Sequence, residues 1–396
     1  MHLFFPMATT ELFENTQVAF SLKSDSELER AYFLFKMISH QPLVRIGTAA
    51  TNFALKAHLP VEKLIRSTVF DHFCGGVNEE DCLPVIDKMY DKGVSSVLDF
   101  SVEGKEVDSH FDAAMEKTLK IINFADDRKS MPIAVFKPTG FGRSYLYKIK
   151  GEGKTFTTEE QVEWERIVAR YDRVCKLAKE KDVEILIDAE ESWMQKSIDD
   201  LCEQMMRKYN TGVPIVYNTL QLYRWDRLDY LKQLHQRALN EGFTLGMKIV
   251  RGAYMEKERE RAEAKGYDSP ICPTKEATDL NFNATLEYIL RNLDTISLFI
   301  GTHNEHSSYI AMKLMEELGV AKNDNRVWFG QLYGMSDHIS FNLAAEGYNV
   351  AKYVPFGPVK DVMPYLIRRA EENTSVAGQT NRELTLLKTE RKRRKI

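Results

Sequence analysis

VEILIDAEESWMQKSIDDLCEQMMRKYNTGVPIVYNTL, residues 183–220, carries the pattern that decides the fold. Its two ends, Val183–Asp188 and Val213–Leu220, are short runs rich in apolar and β-branched residues. The charged, helix-period segment Ile198–Lys208 lies between them. Strand, helix and strand in that order build a parallel βαβ unit. The rhythm continues in both directions. Further strand-like runs are Val94–Phe100, Pro132–Phe136, Thr244–Val250, Ile296–Thr302, Val327–Leu332 and Tyr348–Val354. Helix-period segments at Glu159–Lys181, Asp226–Asn240, Asp279–Leu293 and His306–Leu318 separate most of them. The spacing predicts an α/β chain, a (β/α)8 TIM-type barrel, with a doubly wound parallel sheet as the alternative.

Before the first strand, residues 1–92 read as an N-terminal helical region packing on the barrel. Leu28, Ala31, Leu34, Phe35 and Ile38 recur at helical spacing after the polar start Ser24–Ser26. Further helical stretches are expected at Ala49–His58, Val61–Val69 and Glu79–Lys92. The barrel is assigned residues 93–380. Within it the polar segment Tyr254–Asp279, with two prolines, is expected to be an elaborated loop. Residues 381–396 form a basic C-terminal tail ending in RKRRK. Such a tail is either a solvated terminus or an attraction to an anionic membrane surface.

Composition excludes several classes. The chain has 396 residues, 43% of them hydrophobic, and 54 basic against 58 acidic groups for a net charge of −4. With no basic excess to neutralise phosphates, nucleic-acid binding is not expected. Five cysteines, an odd count with no CxxC spacing, argue against zinc clusters and disulfides and for a reducing compartment. No run approaches the roughly 18 apolar residues of a membrane helix. MHLFFPMATTELF has neither the basic start of a signal peptide nor the Arg and Ser of a transit peptide. A cytoplasmic location is expected.

In a barrel the chemistry sits where the strands end. Those positions hold Lys137, Asp188-Ala189-Glu190-Glu191, Asn218 to Gln221, Arg251-Gly252-Ala253-Tyr254, Thr302-His303-Asn304, Gln331 to Met335, and Tyr353. Tyr365, Arg368, Arg369 and Glu372 fall at i, i+3, i+4 and i+7, on one face of the helix after the eighth strand. Paired guanidiniums suit bidentate grip of a carboxylate, with Lys137 as a further cation. The residues alone leave three readings open. Lys137, Lys248 and Lys352 would suit a Schiff-base aldolase acting on a carboxylate-bearing substrate. A large planar redox cofactor is the second reading, and a non-catalytic barrel that binds carboxylates is the third. GxGxxG, Walker and HExxH motifs are absent, and His303 with His306 gives only a weak metal hint.

Five strings in order decide among these: IDAEE (Ile187–Glu191), VRGAY (Val250–Tyr254), THN (Thr302–Asn304), QLYGM (Gln331–Met335) and YLIRRAEEN (Tyr365–Asn373). Together they resemble the proline dehydrogenase family of flavin-dependent barrel enzymes. AFSLKSDSELERAYFLF and FDHFCGGVNEEDC near the N-terminus resemble its monofunctional, eukaryote-like branch. The resemblance implies bound FAD, no metal, and oxidation of L-proline to 1-pyrroline-5-carboxylate by hydride transfer from C5 to flavin N5. It further implies a quinone as electron acceptor, and a separate pyrroline-5-carboxylate dehydrogenase polypeptide for the next step. A peripheral position at the inner membrane would follow, mitochondrial if a transit peptide has been removed.

By the same resemblance Lys137, Arg368 and Arg369 match the carboxylate grip. Tyr254, Leu332, Tyr353 and Tyr365 match the walls around the proline ring, and Asp188 the acidic group beside it. Flavin contacts are implied for Asp188, Ala189, Asn218, Lys248, Val250, Gly252, Ala253, Lys275, Thr302, His303, Asn304, Leu332, Arg369 and Glu372. Lys248, Asn218 and Met255 depart from the best-known bacterial pattern, which has Arg, Gln and Trp there. A Tyr at position 353 goes with proline rather than hydroxyproline, because the phenol fills the room a ring hydroxyl needs.

Overall fold

The computed structural model describes residues 11–40, 65–101, 106–375 and 377–396, with isolated positions 42, 47 and 49; side chains at 67 and 368–379 lie outside what it describes. Every strand expected from the sequence forms: β1 (Val94–Phe100), β2 (Ile133–Phe136), β3 (Glu184–Ile187), β4 (Val216–Gln221), β5 (Leu245–Val250), β6 (Ile296–Gly301), β7 (Val327–Leu332) and β8 (Val350–Phe356). They form one sheet in the order β1-β8-β7-β6-β5-β4-β3-β2, with parallel pairings. Alternating with helices, this is the (β/α)8 barrel.

Side chains from alternate strands meet inside it, as barrel layering requires. The Tyr217 hydroxyl of β4 bonds Glu184 of β3 and reaches past β5 to Ser297 of β6. Tyr217, Thr219 and Gln221 therefore face inward, while Val216, Asn218 and Leu220 face the helices. The Oε2 of Glu184 is buried and unpartnered, and burial of the carboxyl pushes it up to about 8. The interior leaves no slack: a Cβ on Gly330 of β7 would land 2.1 Å from the Phe299 ring.

The described residues sort into two compact units. One holds those within 1–103 together with His303–His306 and Gln331–Ile396; the other spans Gly104–Thr302 and Ser307–Gly330. In the first unit, helix Asp25–Ile38 starts from a capping box in which Ser24 and Glu27 satisfy each other's backbone. Helix Glu79–Tyr90 starts from an Asn78 cap. Of the expected stretches, residues 50–58 and 61–64 lie outside the described residues, while residues 65–69 are helical.

Two expectations are corrected. Tyr254–Asp279 is not a loop throughout, since Met255–Lys265 is a helix. Its sequence, MEKERERAEAK, is rich in strong helix formers but polar all round, so no apolar stripe announces it. Nor is 381–396 a free tail: it belongs to helix Ala377–Arg394. Leu386 and Leu387 pack there with Phe20, Leu28, Ala31 and Phe35. Each buried Leu or Phe side chain contributes about 1.5–3 kcal/mol. The basic run is largely paired, Arg391 with Glu29, Arg393 with Glu390, and Arg394 with both Glu390 and Asp25. Helix Asp108–Ala125, between β1 and β2, went unmarked in the sequence although Phe111, Met115, Leu119 and Ile122 recur at helical spacing. No helix among the described residues is long and apolar enough to cross a membrane.

Candidate active site

In the larger unit, polar residues stand at or near the C-terminal ends of β2, β3 and β5. Lys137 directly follows β2 and Asp188 directly follows β3. Asp188 Oδ1 receives the ammonium of Lys248, from β5, at 2.7 Å, with both side chains largely buried. The β3 loop is fixed from several sides. Glu190 accepts Thr139 N–H and Oγ–H at 2.8 and 2.7 Å, tying it to the turn that begins at Lys137. Burial outweighs those bonds and pushes its carboxyl up to about 7. Glu191 pairs with Lys257, and Glu258 accepts from both Ser192 N–H and Oγ–H at 2.6 Å. The helix that the sequence hid therefore anchors the loop beside Asp188.

The turn after β5 is shaped by an aromatic ring. Gly252 has φ +131, and a Cβ there would sit 2.6 Å from three atoms of Tyr223, so only glycine lets the VRGAY turn lie on that ring. Tyr223 also donates its hydroxyl to Gln221 Oε1 at 3.3 Å. Val250, Ala253 and Tyr254 flank the same turn.

Asn218 is not where the resemblance puts it. Its Nδ2 donates to Asp199 Oδ1 at 2.8 Å, on helix Ser192–Tyr209, and its Oδ1 accepts Thr219 N–H at 2.8 Å. Asp199 in turn holds Arg227 at 2.9 Å. The strand alternation turns Asn218 outward, and the polar residues on the inner face of β4 are Thr219 and Gln221.

Arg251, named in the sequence only as a strand-end residue and given no role there, is a further functional candidate. It donates Nε to Asp279 Oδ1 at 2.7 Å, one Nη to Thr302 Oγ1 at 2.9 Å and the other to Ser307 Oγ at 2.9 Å. Its guanidinium also lies 4.4 Å from the centre of the Phe282 ring. Asp279 pairs with Lys275 at 2.6 Å as well, so Lys275, Arg251 and Thr302 form one connected set. Its sequence signals were its strand-end position and its place inside VRGAY.

In the other unit, Tyr353 stands on β8 with its carbonyl accepting Tyr333 N–H at 2.8 Å. Leu332 and Tyr365 come together in one apolar cluster with Phe73, Met335 and Leu366. Asp99 near the end of β1 supplies a strand-end acid that the sequence reading omitted. It is 7% exposed, and its Oδ2 accepts from Ser101 Oγ at 2.8 Å. His303 Nδ1 lies 2.9 Å from Ser336 Oγ, and Asn304 is the next residue. Lys352 is not a strand-end lysine. It sits inside β8, 1% exposed, with its ammonium held by Asp337 Oδ1 at 2.9 Å, Met335 O at 2.7 Å and Leu332 O at 3.3 Å. The side chains of Arg368, Arg369 and Glu372, on helix Val359–Ser375, lie outside the described residues.

The donor set fits a flavin dinucleotide. Arg251 and Lys275 share the single carboxylate of Asp279, leaving net positive charge beside Thr302 for a pyrophosphate. Lys248 supplies a buried ammonium, paired with Asp188, near the end of β5. The aldolase reading loses ground, because Lys248 and Lys352 are both held in ion pairs. No group of three or more His, Cys, Asp or Glu suited to a metal occurs among the described residues.

A family model described as proline dehydrogenase matches residues 82–382. The carbapenem antibiotics biosynthesis protein CarD of Pectobacterium carotovorum subsp. carotovorum is 36% identical over 331 residues, covering 83% of this chain and 85% of that protein. Mitochondrial proline dehydrogenase 1 of Dictyostelium discoideum is 30% identical over 426 residues, covering 96% and 74%. The human mitochondrial proline dehydrogenase 1 is 44% identical over 242 residues, covering 60% and 40%. Among solved structures, proline utilization A from Bdellovibrio bacteriovorus, inactivated by N-propargylglycine, matches with a TM-score of 0.72 at 20% identity. That match covers 91% of this chain but 38% of the longer one, and it supports the barrel fold.

Proposed function

The chain belongs to the proline dehydrogenase family, and from that premise we propose that it oxidises L-proline to 1-pyrroline-5-carboxylate with FAD as its cofactor. The observation that supports this reading is the buried Asp188–Lys248 pair near the ends of β3 and β5 in a chain of that family. Bound FAD supplies the hydride acceptor.

The chain's own residues do the rest. Lys137, Arg368 and Arg369 grip the substrate carboxylate, a planar anion matched to guanidinium forks. Tyr254, Leu332, Tyr353 and Tyr365 pack on the ring and exclude water from it. Ala189, Val250, Gly252, Ala253, Lys275, Thr302, His303, Asn304 and Glu372 hold the cofactor, with Lys248 and Asp188 beside it. The ring nitrogen must lose a proton for hydride to leave, so turnover rises with pH as the amine is deprotonated. Electrons pass on to a quinone at a membrane surface, and a pyrroline-5-carboxylate dehydrogenase takes the product.

A visible absorption spectrum of the purified protein, taken before and after anaerobic addition of L-proline, tests this. Flavin bands that bleach with proline are the expected result. Flavin bands that ignore proline would remove the substrate, and absence of flavin after adding FAD would remove the cofactor.

A further inference from the structure

Helix Ala377–Arg394 reaches two strand-end segments through contacts that the proposed chemistry does not use. Glu383, 3% exposed, accepts the backbone N–H of Ser336 on Oε1 at 2.5 Å. Ser336 stands at φ 52, a left-handed conformation that a residue with a Cβ holds only when its surroundings compensate. In that conformation its Oγ lies 2.9 Å from Nδ1 of His303. The neighbouring residue of the helix makes a second tie. Arg382 donates to Glu305 Oε1 at 2.7 Å and Oε2 at 3.2 Å, and His338 Nε2 lies 3.0 Å from the same carboxylate. Burial pushes the Glu305 carboxyl up, but the hydrogen bonds from His338 and Arg382 outweigh it and hold it down at about 2. All of these residues belong to one compact unit. Residues 303–305 are thus held at both ends by consecutive residues of the last helix.

We propose that Glu383 and Ser336 are positioning residues for His303, so that the C-terminal helix sets the orientation and tautomer of an imidazole in the flavin site. This rests on the flavin reading above. An imidazole with a fixed partner on Nδ1 presents a defined Nε2, whereas one without it can flip and exchange tautomers. The strained Ser336 is where the helix transmits its hold: the Glu383 carboxylate fixes the Ser336 backbone, and the backbone aims the hydroxyl.

Titration of deflavinated protein with FAD, followed by flavin fluorescence, reads this directly. Ser336→Ala and Glu383→Ala should each weaken FAD binding at least fivefold, with the proline KM of the FAD-saturated enzyme within twofold of wild type. Glu383→Gln, which keeps an acceptor oxygen, should stay within twofold in both, as should Thr385→Ala on the exposed side of the same helix. FAD affinity within twofold in a folded Ser336→Ala protein overturns the proposal. Should that variant fail to fold, imidazole 15N spectra of the wild type, with His303 assigned by His303→Gln, decide instead. One fixed tautomer supports the proposal, and averaged nitrogen shifts overturn it. A wild type that takes up no FAD overturns the flavin reading and this one together, whereas an FAD-binding wild type with unaffected variants sinks this one alone.

Discussion

The ammonium of Lys248 on β5 and the carboxylate of Asp188 at the end of β3 meet at 2.7 Å, with β4 between their strands. A contact that skips a strand marks the curved interior of a barrel. It also places an opposed charge pair where few waters reach: the two side chains are 8% and 16% exposed.

Breaking that pair leaves one buried charge unopposed, which is worth about 3–5 kcal/mol. Lys248→Met should lower the unfolding free energy by an amount in that range, and Lys248→Arg should recover most of it. Urea denaturation followed by far-UV circular dichroism measures both. A Met variant as stable as wild type would mean that water, not Lys248, compensates Asp188.

Arg251 joins Asp279, Thr302 and Ser307 through a planar fork. A lysine keeps the charge but cannot span three acceptors. Arg251→Lys should therefore lose FAD affinity nearly as far as Arg251→Ala, by about tenfold. If the lysine variant binds FAD like wild type, charge alone matters at this position.

Glu184 gives a pH signature. Its carboxyl is raised from 4.5 to about 8 in the folded protein, chiefly by burial, so folding favours the protonated form. The stability it contributes is fully present below pH 4.5 and is lost as pH rises through about 8. Glu184→Gln, neutral throughout, should show a melting temperature that gains on wild type from about pH 5 to 8 and levels off above that. A constant gap between the two proteins would refute the assignment.

On the proposed function, Tyr353 bears on substrate choice. Tyr353→Ser opens room for a ring hydroxyl, and the ratio of kcat/KM for trans-4-hydroxyproline over proline should rise at least tenfold. An unchanged ratio would refute the steric account.

Gly330 tests the packing inside the barrel. A Cβ there meets the Phe299 ring at 2.1 Å, so Gly330→Ala should cost about 1–3 kcal/mol by overpacking. Melting curves suffice to check it, and an unshifted midpoint would mean that Phe299 moves freely.

All the strands and their order along the chain were legible in the sequence, because each is a short apolar run set between helix-period segments. Lys137, Asp188 and Lys248 were legible too, from their places near the strand ends. Helix Met255–Lys265 was not, since helix propensity without an apolar stripe leaves no periodic signal. The pairing of Arg391, Arg393 and Arg394 with acids was equally hidden, because two of those acids, Glu29 and Asp25, lie at the far end of the chain.

The sequence by itself determined the αβ alternation, the family strings and the identity of the strand-end residues, all local properties of the chain. Only the tertiary structure decided which of those residues look inward. Strands of a parallel barrel are buried on both faces, so their sequences carry little polar–apolar alternation to tell one face from the other. Asn218 and Lys352 read like site residues, yet strand alternation turns both toward helices, where Asp199 and Asp337 satisfy them.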